Sequence, residues 1–394
     1  MGDGTVLETM FSARSKVDAE LNPLSRAIAE RRQRGEPILD LTMSNPTVAG
    51  LPYEGERLLT ALASADSLVY APEPFGLASA RQAVARSYAE AGHELAPEHV
   101  VLTASTSEAY GYAFKLLADA GDEVLVPAPS YPLLEHLARV EQIQARPYSL
   151  FYDHGWHVDL DSVRRALSDK SRAIVVVSPN NPTGSFLKQP ELEALLALGL
   201  PIVSDEVFAS YPFAEDAARM TTVLTAEEGL VLALDGLSKR VGLPQLKLGW
   251  MALGGEPALV SAALARLELI ADTYLSVGTP VQQALPELLA AGTSTHAEIW
   301  RRVCRNQKRL PELLADAVVS PLQAEGGWYA VLRLPRVRSE DEWVLGLLEQ
   351  GVLVQPGYFF DFADEAFAVV SLLTPEPSFD AGIESLRNYV GKQS

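Results

Sequence analysis

Two hydrophobic patterns alternate along the chain from about residue 97 to residue 275. Short, nearly continuous apolar runs bounded by turn residues predict strands that are covered on both faces, and longer mixed stretches predict helices. The predicted strands span 99–103, 123–126, 173–177, 200–204, 231–234 and 248–253, and the predicted helices between them include 108–117 and 133–140. Alternation of this kind is typical of βαβ units and predicts a largely parallel sheet.

The two ends of the chain have a different pattern. Mixed helices are predicted near 296–316 and 341–350, and strands at 328–334 and 368–373, which together suggest a smaller α+β domain. A chain of 394 residues is also long for one hydrophobic core. We therefore predict an N-terminal arm with part of the small domain at 1–45, a large domain at 46–275 and a small C-terminal domain at 276–394.

Composition narrows the class of protein. A hydrophobic content of 48% with 21% charged residues is typical of a globular protein, and the net charge of −19 disfavours nucleic acids and anionic membranes as partners. The single cysteine, Cys304, excludes an internal disulfide and a CxxC metal site, so we expect no metal and a reducing compartment. Residues 1–5 lack a basic start, and no run approaches the roughly 18 apolar residues of a membrane span. A cytoplasmic enzyme is expected.

Polar residues follow several of the predicted strands at their carboxyl ends, where open α/β sheets bind ligands. In chain order these are Ser105-Thr106-Ser107, Ser130-Tyr131, Asn180-Asn181-Pro182-Thr183-Gly184, Asp205-Glu206 and Lys239. Because the carboxyl ends of parallel strands share one edge of the sheet, we expect these residues to converge on one rim.

Lys239 is the most informative of them because it lies at a turn between two strongly apolar segments. A lysine partly removed from water, or near cations such as Arg240 and Lys247, has a depressed pKa and can form a Schiff base with an aldehyde cofactor or a carbonyl substrate. The alternative is an ordinary solvated lysine. Asp205 ends an apolar strand, so its carboxylate needs a partner, for which a protonated pyridine nitrogen is suitable; the alternative is a helix cap or a surface residue.

Two further rim elements have alternative explanations. Thr106 and Ser107 precede a predicted helix, where their hydroxyl and N–H groups can hold a phosphate, or can simply cap the helix. Tyr131 can stack on a planar ring, or can pack as an aromatic residue at a domain edge.

Three longer motifs carry a resemblance to a known family. Ser-Pro-Asn-Asn-Pro-Thr-Gly at 178–184, Ser-Asp-Glu-Val-Phe at 204–208, and Ser-Lys followed by Gly-Leu-Pro and Leu-Gly-Trp at 238–250 resemble the class I/II aminotransferases. Segments 41–46 and 70–81 are also similar to that family. The resemblance implies a fold type I architecture dependent on pyridoxal 5'-phosphate (PLP), with a large domain whose mostly parallel mixed sheet lies between helices, plus a smaller α+β domain.

The resemblance also implies catalytic roles for three residues. Lys239 would form the Schiff base with the cofactor and, once the substrate frees it, would move the proton between the substrate Cα and the cofactor. Asp205 would keep the pyridine nitrogen protonated, which makes the ring an electron sink. Asn181 would donate a hydrogen bond to the ring oxygen O3' and would also contact the substrate.

Binding roles are implied for a larger set of residues. By similarity, Tyr131 would stack on the ring, Thr106 and Ser107 would hold the phosphate, and Ser238 would also belong to the cofactor site. Ser44 and Asn45 would line the substrate site. Tyr70 would reach the phosphate of the neighbouring subunit, so the resemblance implies a homodimer. The expected partners are a small-molecule amino donor and a 2-oxo acid.

The chain departs from the family pattern at three positions. Phe208 stands where the family usually has a tyrosine that donates to O3', and Lys247 stands where a phosphate-binding arginine is expected. Ser371 matches the position of the arginine that grips the substrate carboxylate, and a serine cannot replace a bidentate guanidinium. Another cation, such as Arg14 or Arg333, is one candidate for binding the substrate carboxylate instead.

The sequence supports one leading function and two alternatives. The leading prediction is an aminotransferase that exchanges an amino group between an amino acid or amine and a 2-oxo acid. The second is a PLP-dependent lyase, decarboxylase or cyclising enzyme, because fold does not imply function. The third is a PLP-binding regulatory or scaffolding protein without turnover, which the lack of a basic extension before residue 20 disfavours.

Overall fold

The computed structural model describes residues 10–16, 22–364 and 366–393. The expectation about residues 1–5, and part of the predicted N-terminal arm, lie outside these ranges. The helices are α1 (Pro23–Gln33), α2 (Gly55–Leu62), α3 (Ala78–Glu90), α4 (Thr106–Leu117), α5 (Leu133–Val140), α6 (Leu160–Ala166), α7 (Gln189–Leu196), α8 (Leu237–Arg240), α9 (Pro257–Tyr274), α10 (Thr279–Ala291), α11 (Thr293–Leu313), α12 (Glu340–Glu349) and α13 (Glu376–Gln393).

Strands alternate with these helices and form three sheets among the described residues. They are β1 (Leu39–Asp40), β2 (Val100–Thr103), β3 (Glu123–Ala128), β4 (Gln144–Tyr152), β5 (Trp156–Val158), β6 (Ser171–Val177), β7 (Ile202–Asp205), β8 (Leu230–Gly236), β9 (Gly249–Gly255), β10 (Ser320–Pro321), β11 (Tyr329–Arg333), β12 (Val352–Leu353), β13 (Gln355–Pro356) and β14 (Phe367–Ser371).

The large sheet has eight strands in the order β2-β9-β8-β7-β6-β3-β4-β5. Its centre is parallel, because β8, β7, β6, β3 and β4 pair in parallel, whereas β9 runs antiparallel to both β8 and β2. The carboxyl ends of β2, β3, β6, β7 and β8 therefore lie along one edge. The predicted mostly parallel mixed sheet is confirmed.

Burial explains why the central strands form where they do. Every residue of β8 is buried, and β2 is likewise buried along its length. Apolar clusters cover both faces of this sheet, one around α4 and α9 and the other around α6 and α7. Strands that are covered on both faces have no side chains in contact with water, so they are apolar at nearly every position. This is the pattern seen in the sequence.

The small sheet has the order β10-β11-β14-β13, and all of its pairs are antiparallel. A third, separate core packs it against α11, α12 and α13, with Trp328 and Trp343 fully buried inside. A smaller α+β unit is therefore present, and the limits proposed above for the domains remain a prediction. Among the residues that the structure describes, no helix combines the length and apolar character needed to cross a bilayer.

A pair of glycines shapes the junction after β8. A Cβ atom on Gly236 would lie 2.8 Å from the Cα of Gly249, which pairs with it on β9. The two backbones can approach this closely only without side chains. The approach sets the start of α8, which carries Lys239.

Candidate active site

A cavity of about 240 Å³ lies at the carboxyl ends of the central strands, between the large sheet and the small sheet. It is lined by Ser44, Thr106, Ser107, Tyr110, Tyr131, Leu133, Leu134, Leu137, Val177, Asn181, Asp205, Val207, Phe208, Ser238, Lys239, Tyr329, Gln355 and Phe360. Among these lining residues, Lys239 and Asp205 are the two with ionisable acidic or basic groups near neutral pH. The structure thus brings together most of the rim residues expected from the sequence.

Lys239 extends from α8 into this cavity beneath aromatic rings. Its Nζ atom lies 5.0 Å from the centroid of the Trp328 ring and 5.8 Å from that of Phe208. Burial lowers the pKa of Lys239 to about 8, and the nearby carboxylate of Asp205 opposes that shift only in part. At mildly alkaline pH, the Lys239 amine is therefore neutral and nucleophilic in a large fraction of the molecules.

The backbone of Lys239 is held from behind. The hydroxyl of Tyr211 donates to the carbonyl oxygen of Lys239 at 2.6 Å, and Arg240 on the same short helix pairs with Asp235 on β8 at 2.5 Å. Tyr211 is fully buried and does not line the cavity. These contacts fix the helix while leaving the Lys239 amine free to move.

Asp205 is held at the end of β7. Its Oδ1 atom accepts a hydrogen bond from the Val207 N–H, and its Oδ2 atom accepts one from the Tyr110 hydroxyl, each at 3.2 Å. Burial raises the pKa of Asp205 to about 6, despite both hydrogen bonds. The group remains mostly ionised at neutral pH, and each oxygen keeps a lone pair for a cationic donor in the cavity.

Asn181 and the start of α4 supply neutral polar groups. Asn181 Oδ1 is buried without a hydrogen-bond partner. Thr106 and Ser107 form the first turn of the 12-residue helix α4, whose N-cap is already provided by Ser105, which accepts from the Glu108 N–H at 3.2 Å. Since Ser105 does the capping, Thr106 and Ser107 remain available to an anion at the positive end of the helix.

Two aromatic residues predicted at the site also line the cavity. Phe208 packs edge-on against Trp328, with ring centroids 5.3 Å apart, and has no hydrogen-bond donor to offer. Tyr131 is 49% exposed and lies on the cavity wall. It can cover a planar ligand from one side.

Asn45 caps a turn next to the cavity. Its Oδ1 atom accepts hydrogen bonds from the Thr47 N–H at 3.0 Å and the Thr47 hydroxyl at 2.7 Å, which caps the turn Pro46–Val48. Asn45 does not line the cavity, whereas Ser44 beside it does. Its side chain is bonded within the turn, and its expected contact with substrate stays a prediction.

Ser371 is covered by another segment of the chain and does not line the cavity. It is fully buried, its hydroxyl donates to the carbonyl oxygen of Met43, and the same oxygen accepts from the Leu373 N–H at 3.2 Å. The segment before Ser44 therefore covers the hydroxyl, and the expected contact between Ser371 and substrate stays a prediction.

Lys247 and Tyr70 lie outside the cavity of their own chain. Lys247 is exposed at a left-handed turn, with φ of 50°, and Tyr70 is 78% exposed beside a separate surface cleft. Tyr70 was expected to serve a neighbouring subunit, so its position here leaves that expectation a prediction. A role for Lys247 at the phosphate also remains a prediction.

Several lining residues were missed from the sequence. The small sheet and the turn after it contribute Tyr329, Gln355 and Phe360, and α5 contributes Leu133 and Leu137. Tyr110 was also missed, although its position one turn after Ser107 on a predicted helix was a usable signal. The other residues do not follow the carboxyl end of a strand in the large sheet, so their positions at the cavity could not be predicted from the strand pattern.

The residues present fit PLP. An ionised carboxylate beside a buried, partly neutral lysine suits a pyridinium ring with an aldehyde, and the side-chain NH2 group of Asn181, which lines the cavity, suits a ring oxygen. The first turn of α4 suits a phosphate. Each of these observations is independent of the others, and all of them face one cavity.

Comparisons with known proteins agree with this chemistry. The family model for aminotransferase class I and II matches residues 37–376. A glutamate-pyruvate aminotransferase of Escherichia coli K12 is 27% identical over 364 residues, with 89% of this chain and 90% of that protein covered. A tyrosine aminotransferase of Dictyostelium discoideum is 26% identical, with 86% and 87% covered.

Solved structures show the same fold. An alanine aminotransferase of Pyrococcus furiosus superposes with a TM-score of 0.87 at 23% identity, covering 98% of this chain and all of that chain. An aspartate aminotransferase of Thermus thermophilus, a single mutant, gives a TM-score of 0.83 at 24% identity, with 96% and 99% covered. Nothing in these matches favours a lyase, decarboxylase or cyclising enzyme. The chain belongs to the class I and II aminotransferase family and is a PLP-dependent aminotransferase.

Proposed function

We propose that Lys239 is the residue that bonds the cofactor and carries the proton in this aminotransferase, with Asp205 and Asn181 holding the cofactor ring. The observation that carries the proposal is the pKa of Lys239, which burial lowers to about 8 inside a cavity whose other charged group is Asp205. A poised amine is required both of a nucleophile and of a base that works near neutral pH.

When bound, PLP supplies an aldehyde that takes up the amino group and a ring that withdraws electrons from the substrate carbon. The chain's own residues do the rest. The amine of Lys239, once displaced by the substrate amine, would remove the proton from the substrate Cα and deliver it to the cofactor carbon on the other side of the transferred nitrogen. Its pKa of about 8 allows both steps, because neither the protonated nor the neutral form is strongly favoured.

Asp205 maintains the charge of the ring. Its carboxylate, mostly ionised above its pKa of about 6, accepts a hydrogen bond from the ring nitrogen and so keeps that nitrogen protonated. Tyr110 and the Val207 N–H hold the carboxylate in place. We assign phosphate binding to Thr106, Ser107 and Ser238, with Lys247 as an additional cation, and ring stacking to Tyr131.

The substrates we propose are an amino acid donor and a 2-oxo acid acceptor, exchanged in two half-reactions at the same cavity. The matched relatives named for glutamate and pyruvate, and for tyrosine, support this class of substrate. The acidic composition and the single cysteine support a cytoplasmic location.

We also propose that the active form is a homodimer in which Tyr70 completes the neighbouring subunit's phosphate site. Its 78% exposure in a single chain supports this, since the side chain is available to a partner surface. Chains carrying Tyr70→Phe and chains carrying Lys239→Ala should regain activity when mixed, because one site per mixed dimer has both groups intact. Mixtures no more active than the average of the two parents would place both residues in one subunit's site.

Borohydride reduction followed by peptide mapping tests the assignment of Lys239. The reduced cofactor is expected on Lys239, and Lys239→Ala is expected to lose turnover by at least about 10²–10⁴-fold, the range for removal of an acid–base group alone. Lys247→Ala is the matched control, because it removes an exposed lysine eight positions along the chain and should leave the adduct in place. An adduct found on Lys247, or none on either lysine, would reject the assignment.

A further inference from the structure

Part of the cavity wall is apolar and lies away from the strand ends. Leu133 and Leu137 are one turn apart on α5 and face the cavity together with Phe360. The two segments are joined, because the Ser130 N–H donates to the carbonyl oxygen of Phe360 at 2.9 Å. These three side chains form what we call the apolar wall.

Cations are scarce around this cavity. Lys239 is the single basic residue among the described residues that line it. Of the two arginines considered from the sequence, Arg14 donates to the carbonyl oxygen of Val140 at 3.5 Å, and Arg333 stacks 5.7 Å from the centroid of the Tyr152 ring. Neither lines the cavity. A second carboxylate on a substrate would therefore be desolvated against the apolar wall without a cationic partner from the same chain, which is strongly unfavourable.

Neutral hydrogen-bonding groups lie on the small-sheet side. In the register of that sheet Gln355 is opposite Val369 and Tyr329 is opposite Ser371, and residues paired across strands point to the same face. Both Gln355 and Tyr329 line the cavity, where the side-chain NH2 group of Gln355 can donate hydrogen bonds. Burial raises the pKa of Tyr329 to about 12, so its hydroxyl remains a donor.

We infer that the amino donors of this enzyme are amino acids with uncharged, apolar side chains, which pack against the apolar wall. Their α-carboxylate is held by neutral donors, the amide of Gln355 and the hydroxyls of Tyr329 and Ser44, and not by a guanidinium. The inference rests on the proposed function, because it assumes transfer from an amino acid in this cavity. Aspartate and glutamate are poor donors.

Single-turnover measurements on the PLP-loaded enzyme test the preference directly. Leucine, methionine, phenylalanine, aspartate and glutamate are supplied separately at equal concentration, and conversion of the cofactor to its amine form is followed by absorbance. The apolar donors are expected to react about ten- to hundredfold faster than the acidic ones, as expected for a side chain of several carbons buried on an apolar surface. Faster reaction with aspartate or glutamate would overturn the inference, and no conversion by any amino acid would overturn the proposed function itself.

A charge placed in the apolar wall tests its position. Leu137→Arg is expected to raise the rate with glutamate relative to leucine by tenfold or more. Val140→Arg is the matched control, because Val140 is on the same helix, is 51% exposed and does not line the cavity, so the preference should stay as in the parent. An unchanged ratio in a folded Leu137→Arg enzyme would contradict the proposed wall. Phe360→Ala provides a second variant, in which phenylalanine should lose rate relative to alanine.

Equilibrium binding gives a readout independent of turnover. Calorimetry on the PLP-loaded enzyme with 4-methylpentanoate and with glutarate, neither of which has an amino group, should show tighter binding of the former. In Leu137→Arg the order should reverse. Tighter binding of glutarate by the parent enzyme would indicate a cation in the site and would oppose the inference.

Substitutions at Gln355 test how the carboxylate is held. Gln355→Glu sets a negative charge against it and is expected to raise KM for every amino acid by about ten- to hundredfold with a much smaller change in kcat, whereas Gln355→Met should raise KM less. Arg14→Gln is expected to leave KM unchanged. A rise in KM in Arg14→Gln as large as that in Gln355→Glu would identify a guanidinium at the carboxylate and refute the neutral arrangement.

Discussion

The cavity has two walls that differ in how they are built. The wall from the large sheet carries both charged groups, Asp205 and Lys239, at the ends of β7 and β8, which are paired on both sides and buried. The wall from the small sheet carries neutral groups such as Gln355, which lies on the two-residue edge strand β13. A rigid, fully paired scaffold thus positions the chemistry, and a short edge strand and turn position the residues that meet the substrate.

This difference separates what the enzyme does from what it acts on. Residues at the ends of central strands cannot move without disturbing neighbouring strands, so the reacting groups are fixed. Residues on an edge strand or a turn can change with little effect on the core, which is where specificity is usually varied. The first wall therefore accounts for the reaction of the family. The second wall, together with Leu133 and Leu137 on α5, accounts for the substrate preference that we infer for this chain.

A positive charge introduced at position 371, beside the second wall, is expected to destabilise the protein. Ser371→Arg would place a guanidinium where the side chain is fully buried and its hydroxyl already serves the Met43 carbonyl. An unpaired charge in such a place is expected to reduce the free energy of unfolding by about 3–5 kcal/mol. Denaturant titration measures this, and Ser371→Ala should lose only about 1 kcal/mol for one hydrogen bond. A folded Ser371→Arg enzyme with improved turnover of amino acids would show that position 371 reaches the substrate after all.

Lys239 in the first wall is expected to lower the free energy of unfolding, because its burial disfavours the charged form of the amine. Folding lowers the pKa of Lys239 from 10.5 to about 8, so the folded chain holds the proton less tightly than the unfolded chain does. The resulting destabilisation is fully present below about pH 8 and fades as the pH rises towards 10.5. Lys239→Met should therefore stabilise the cofactor-free protein at pH 7 by about 3 kcal/mol, and much less at pH 10.

Urea titrations of cofactor-free protein at the two pH values measure this effect. Lys247→Met is the control, since Lys247 is exposed and its removal should change the unfolding free energy little at either pH. Equal stabilisation by Lys239→Met at pH 7 and pH 10 would mean that lost charge is not the cause.

The first wall was largely predictable from the sequence. Strands covered on both faces have to be apolar throughout, so their carboxyl ends, and the polar residues just beyond them, can be located without a structure. The predicted helix 133–140 matches Leu133–Val140, and Lys239 and Asp205 follow β8 and end β7 as expected. Strand β4 was missed because its exposed and buried positions are mixed and Pro147 interrupts it.

The second wall could not be derived in the same way. Gln355 and Phe360 face the cavity because the small sheet docks against the rim of the large one, and no local pattern encodes that long-range contact. The surroundings of Ser371 also could not be predicted from the local sequence. Its position in the chain suggested a substrate contact, but its environment depends on the segment at Met43, more than 300 residues earlier in sequence.

Phe208 offers a smaller change within the first wall. Phe208→Tyr would add a hydroxyl to a ring that lines the cavity, and the family resemblance implies that such a hydroxyl would donate to the ring oxygen of PLP. A donor there stabilises the deprotonated form of the bound cofactor, so the pKa read from its absorbance should fall by up to about one unit. A spectroscopic titration measures it. Tyr211 is no substitute donor, because its hydroxyl is bonded to the Lys239 carbonyl. An unchanged pKa would show that another group already occupies the position.

The smallest effect is expected at the edge of the second wall, at Asn45. Its side chain caps the turn Pro46–Val48 through Thr47, so Asn45→Ala should reduce the free energy of unfolding by about 1 kcal/mol and leave KM for amino acids unchanged. Asn45→Asp keeps the accepting oxygen and should recover most of the loss. Denaturant titration and steady-state kinetics on the same preparations separate the two roles. A several-fold rise in KM in both variants, without loss of stability, would show that Asn45 contacts the substrate. The neutral groups that hold the substrate carboxylate would then include Asn45 as well as Gln355 and Ser44.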